Sequence, residues 1–142
     1  MKKYIVIIGL LLGGMLAGCH KADVGYLQTD NAKYVPDTLN IRLVLDEELD
    51  AFRIYNVSPW VGPKMQGVIG TPPIYFEVTN VTSSSEGANP TLFKHLLSVR
   101  GGGRMEFPLV SDITPGRYVV SLRIYNEGSS KEVKNAFTFI VK

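Results

Sequence analysis

The sequence predicts an all-β sandwich of about seven or eight short strands. Three observations carry that expectation. After residue 38, apolar and polar residues alternate at a period of two, which places every second side chain on one sheet face. Turn residues, chiefly Gly, Pro, Asn and Ser, interrupt the alternation about every 10 residues. No long stretch carries apolar residues at helical spacing.

Taken in order, Leu39, Ile41, Leu43 and Leu45 form the first alternating run, and Asp46-Glu47-Glu48-Leu49-Asp50 ends it as a turn. Phe52 to Val57 reads as a second strand. Ser58 to Pro63 is expected to be irregular, because two prolines and a glycine defeat ladder pairing. Met65 to Ile69 offers a short strand, stopped by Gly70-Thr71-Pro72-Pro73. Ile74, Phe76 and Val78 alternate with Tyr75, Glu77 and Thr79. A serine-rich loop covers 82–90, and Thr91 to Leu96 fits one helical turn. Gly101-Gly102-Gly103 joins Leu97–Arg100 to Arg104–Leu109 as a tight hairpin. Tyr118, Val120, Leu122 and Ile124 mark the clearest strand, and Phe137, Phe139 and Val141 share a face of the last one.

The chain has 142 residues, 15 basic and 13 acidic, and a single cysteine, Cys19. Lys2-Lys3, the apolar run Tyr4–Met15 and the small residues of Leu16-Ala17-Gly18 precede that cysteine. The apolar run is too short to span a membrane, which takes roughly 20 residues. This arrangement resembles a bacterial lipoprotein signal, in which the chain is cut before the cysteine and the cysteine is lipidated. Residues 1–18 are then a removable signal, 19–37 a lipidated N-terminus and tether, and 38–142 the sandwich domain. The only thiol would be consumed at Cys19, which excludes disulfides, thiolate catalysis and zinc–thiolate sites. With Lys2 and Lys3 removed, acidic and basic residues balance, so nucleic acid is not an expected partner.

Ile113-Thr114-Pro115-Gly116-Arg117-Tyr118 and the strand after it resemble the penultimate strand of immunoglobulin-like and cadherin-like domains. There a tyrosine hydroxyl bonds back to the preceding corner, and Tyr118 would play that part. With Lys21 and Asp23 behind the cysteine, and Gly70-Thr71-Pro72-Pro73-Ile74-Tyr75, the chain resembles a small Bacteroidetes-type surface lipoprotein. That resemblance implies an outer-membrane location facing the exterior. It also implies association with a glycan-uptake transporter complex or polysaccharide. Asp37-Thr38-Leu39 resembles a short O-glycosylation motif of such bacteria, which would modify Thr38.

No residues suggest catalysis or a cofactor. The nucleophile elbow and the phosphate-binding loop are missing, and Gly101–Gly103 is followed by Arg104-Met105-Glu106 rather than by a helix opening. His20 and His95 are too far apart in sequence to suggest a metal site, and the acidic turn 46–50 lacks calcium-loop spacing. Trp60, held between Pro59 and Pro63, reads two ways. It could stack on a sugar ring, extended by Tyr55 and Tyr75, or it could plug one end of the sandwich, which is the preferred reading. Arg100, Arg104, Arg117 and Arg123 either meet an anionic sugar or solvate the outer sheet face.

The expected function is therefore a non-catalytic, lipid-anchored surface module that binds a glycan or a protein. Two other readings stay open. One is a fimbrial subunit that donates its C-terminal strand. The other is a chagasin-like protease inhibitor using the segments around Trp60, Asn89-Pro90-Thr91 and Gly101–Gly103.

Overall fold

A computed structural model describes residues 25–109 and 112–142. The described chain forms nine strands and two short helices. These are β1 (Leu27–Gln28), β2 (Thr38–Ile41), α1 (Ala51–Asn56), β3 (Trp60–Val61), β4 (Ile69–Gly70), β5 (Tyr75–Ser83) and α2 (Pro90–Leu96). After them come β6 (Ser98–Arg100), a single 3₁₀ turn at Gly101–Gly103, β7 (Arg104–Phe107), β8 (Gly116–Tyr125) and β9 (Ser130–Val141).

The expected all-β sandwich is present. A four-stranded sheet in the order β2-β9-β8-β5 faces a three-stranded sheet in the order β3-β7-β6, and β1 pairs with β4 in a small ribbon. The alternation in β8 sends Tyr118, Val120, Leu122 and Ile124 inward, all fully buried. β9 contributes Phe137, Phe139 and Val141, and the second sheet answers with Met105 and Phe107. Tyr118 makes the expected corner: its hydroxyl donates to the Thr114 carbonyl at 2.7 Å.

The strands run lengthwise between two ends of the domain. At one end the turn Asn126–Ser129 links β8 to β9, and Gly25 packs directly on Gly128. Gly25 has a φ of 97°, and a Cβ there would overlap the Gly128 backbone, so only glycine fits. At the other end β9 finishes beside Ile41, because β2 lies parallel to it. At about 3.3 Å per residue these ends lie roughly 35 Å apart.

Several expectations change, beginning with Ser58–Pro63, which is not wholly irregular because Trp60–Val61 pairs with β7 as β3. Phe52–Val57 is not a strand but α1 with its C-cap, and the first strand stops at Ile41 rather than Leu45. Local and distant contacts act together: the Asp46 carboxylate accepts from the Glu48 and Leu49 amides and its carbonyl from the Asp50 amide, which turns the chain after β2, and Arg42 then holds the Asp50 carboxylate at the start of α1. The segment expected as a tether also joins the domain from residue 25 onward. Leu27 and Tyr34 are core residues, and the Tyr34 hydroxyl donates to the Gly103 carbonyl. Met65–Ile69 makes only an isolated Lys33–Gln66 bridge before β4.

The turn expected at Thr91–Leu96 is α2. Its start follows from the Asn89 side chain, which accepts from the Leu92 amide at 3.0 Å, and from Pro90 in the first turn. Phe93 is its one buried side chain.

Candidate functional site

Two loci at opposite ends of the domain carry the residues singled out in the sequence. The first is the cleft beside the Asn126–Ser129 end. The β5–β8 register sets Tyr75 opposite Tyr125, and their rings stack with centroids 5.3 Å apart. The β6–β7 hairpin brings Val99 and Arg100 alongside, which closes a cleft of about 170 Å³ over Ile74, Tyr75, Phe76 and Tyr125. Tyr75 stays 48% exposed.

Arg100 lines this cleft, and Arg123 stands beside it against Tyr125. Arg100 donates through Nε to Glu106 at 2.6 Å while most of its side chain stays exposed. Arg123 lies 4.9 Å from the Tyr125 ring centroid and is also paired with Glu77. A guanidinium has five N–H donors, so each arginine keeps donors beyond its carboxylate bond. Arg104 and Arg117 are exposed on their strands and do not line the cleft.

The second locus is built around Trp60, and it corrects the idea of an exposed stacking platform. Trp60 is only 4% exposed, because β3 pairs it with Phe107 and α1 folds over it. The Arg53 guanidinium sits 4.0 Å above its ring centroid and that of Arg42 lies at 5.4 Å. Asp50 ties these cations together. Arg42 reaches both of its carboxylate oxygens, at 2.9 and 2.5 Å, and the Asp46 amide donates at 3.0 Å. The Arg53 side chain donates to the Pro59 carbonyl at 2.6 Å, which pins α1 to the start of β3. Trp60 therefore plugs the far end of the sandwich.

The hydrogen bond from Arg42 holds the Asp50 carboxyl below its ordinary value of 3.8, against the opposing effect of burial. A lowered folded-state value means that the native state binds fewer protons, so the stabilisation is present above about pH 4 and fades below it. Asp50→Asn is expected to flatten that acid limb. Melting temperature measured from pH 2 to 6 checks it, and equal slopes in both proteins would count against the assignment.

The remaining predicted residues scatter. Tyr55 is 87% exposed on α1, at the opposite end from Tyr75, so the two tyrosines do not form one platform. Thr38 is half-buried at the start of β2, and its hydroxyl donates to Asp37 at 3.1 Å. His95 is exposed in the last turn of α2. Cys19 and His20 lie outside the described residues. Among the described residues no three His, Cys, Asp or Glu side chains converge as a metal site, and no helix is long and apolar enough to cross a membrane.

The inhibitor-like segments do not share one end. Gly103 packs on Phe76, whereas Asn89-Pro90-Thr91 opens α2, whose Phe93 stacks on Tyr118 near the Trp60 end. The strand that a fimbrial subunit would donate, β9, is paired on both sides over Thr138–Val141. Tyr125 was the residue that the sequence reading missed. In β8 it alternates with the buried residues, and the register pairs it with Tyr75. Comparisons of the chain with protein families, with curated proteins and with solved structures returned no match.

Proposed function

We propose that this protein is a non-catalytic, lipid-anchored surface module that holds a saccharide ring against the Tyr75–Tyr125 pair. One observation carries the reading: two stacked tyrosines, one of them half-exposed, line an open cleft with an arginine at its rim. An aromatic face binds the C–H face of a sugar ring, and a guanidinium donates to hydroxyls or a carboxylate. The cleft is smaller than the roughly 300–1,000 Å³ of drug-sized sites, which suits one ring of a longer chain. Arg100, which lines the cleft, favours an acidic sugar. Lipidation at Cys19 would set the cleft at the end of the domain nearest the membrane, since Gly25 packs beside the same turn. That placement fits an accessory of an outer-membrane glycan-uptake system.

The test is titration calorimetry of the folded domain against neutral and uronate-containing polysaccharides. Tyr75→Ala is expected to weaken binding about tenfold or more, at a cost of only about 1 kcal/mol in stability from the lost stacking. Arg100→Ala should remove the preference for the acidic polysaccharide. If the unaltered protein binds no saccharide, or if Tyr75→Ala binds as well as it does, the reading fails.

A further inference from the structure

The helix α1 is built inside out. Arg53 and the preceding Asp50 face the interior, where they hold Trp60 and Arg42. Apolar residues in and beside the helix face water: Leu49 before it is 76% exposed, Phe52 78%, Tyr55 87% and the C-cap Val57 71%. Leu49, Phe52 and Tyr55 recur every third residue, so they share one face of the turn and helix. Val57 closes the helix at φ 49°, a left-handed position where glycine is the usual residue and a β-branched side chain is an outlier. An apolar face of this kind, held rigid from beneath by an ion network, marks an interaction surface.

Charge decides among its occupants. The loop leading into α1 carries Asp46, Glu47 and Glu48, all exposed; the nearby cations Arg42 and Arg53 are engaged with Asp50, and Lys142, bonded through its backbone to Ile41 and Leu43, is a single charge against these three. A second copy docked two-fold on this face would bring the two acidic rims together. An anionic lipid surface is repelled in the same way. The face also lies at the end of the domain remote from Gly25, where the chain leads toward Cys19. We infer that Leu49, Phe52, Tyr55 and Val57 dock a protein segment whose apolar face is flanked by lysine or arginine. This surface is distinct from the saccharide cleft and does not depend on it.

Two synthetic helical peptides test the inference. Each presents leucines at i, i+3, i+4 and i+7, flanked by arginines in one and by glutamates in the other. The arginine peptide should bind the full chain, and the glutamate twin should not. Phe52→Ser/Tyr55→Ser and, separately, Glu47→Lys/Glu48→Lys should each weaken binding about tenfold or more. These positions are exposed, so circular dichroism should show an unchanged fold. A photo-crosslinker at Tyr55 in the lipidated chain in its own membrane should capture a peptide with apolar residues between basic ones. Equal binding of both peptides, binding of neither, or crosslinks to lipid or to a second copy would overturn the inference.

Discussion

Phe93→Ala is expected to lower the stability of this domain by about 3–5 kcal/mol, the range for deleting a buried aromatic ring. Phe93 is fully buried and stacks on Tyr118 at 4.3 Å and on Phe107 at 4.5 Å, with Phe139 tilted against it at 5.3 Å. It joins the two sheets through one ring. It is also the only buried side chain of α2, a helix of seven residues that is far too short to persist without packing. Loss of the ring therefore leaves a cavity and frees α2, including the Lys94 ammonium that donates to the Thr79 carbonyl in β5. Denaturant unfolding gives the free energy, and the melting temperature should fall by roughly 10–20 °C. Phe93→Leu, which fills most of the space, should lose less than half as much. A loss under about 1 kcal/mol in the alanine variant would show that Phe93 is not central to the core.

Trp60→Ala is the second large effect, and its character matters as much as its size. The indole is buried under two guanidiniums and against Phe107, so its removal should also cost about 3–5 kcal/mol. Arg53 would lose the ring beneath it and α1 would loosen. The saccharide binding proposed for the Tyr75–Tyr125 cleft should be unchanged in the fraction that remains folded, because that cleft lies at the other end of the sandwich. Trp60→Phe keeps an aromatic face for Arg53 and should recover much of the stability. Loss of saccharide binding in a fully stable Trp60→Ala variant would reverse this assignment and restore Trp60 as a contact residue.

The two loci show why sequence reasoning succeeded in one place and failed in another. The inward face of β8 was legible, because a period of two over Tyr118, Val120, Leu122 and Ile124 has one geometric meaning in a strand. The corner tyrosine was legible for a related reason, since Pro115-Gly116 fixes a turn just before it. The helix α1 was not legible. Phe52-Arg53-Ile54-Tyr55-Asn56-Val57 is rich in strand-forming residues and gives no periodic sign of a helix, and its apolar side faces out rather than in. The helix exists because Asp50 is bound by Arg42, eight residues earlier, and because Arg53 closes over Trp60.

The sequence alone determined the class of fold, the strands that carry its core and the corner that starts β8. It also singled out Trp60 and Tyr75 as aromatic residues to follow. Those features depend on local periodicity and turn chemistry, which neighbouring residues settle among themselves. Only the tertiary structure decided that Trp60 is buried, that Tyr75 meets Tyr125 and that α1 turns its apolar side to water. Each of those outcomes is set by partners far along the chain, through strand register or through an ion pair, and no local pattern encodes such a partner.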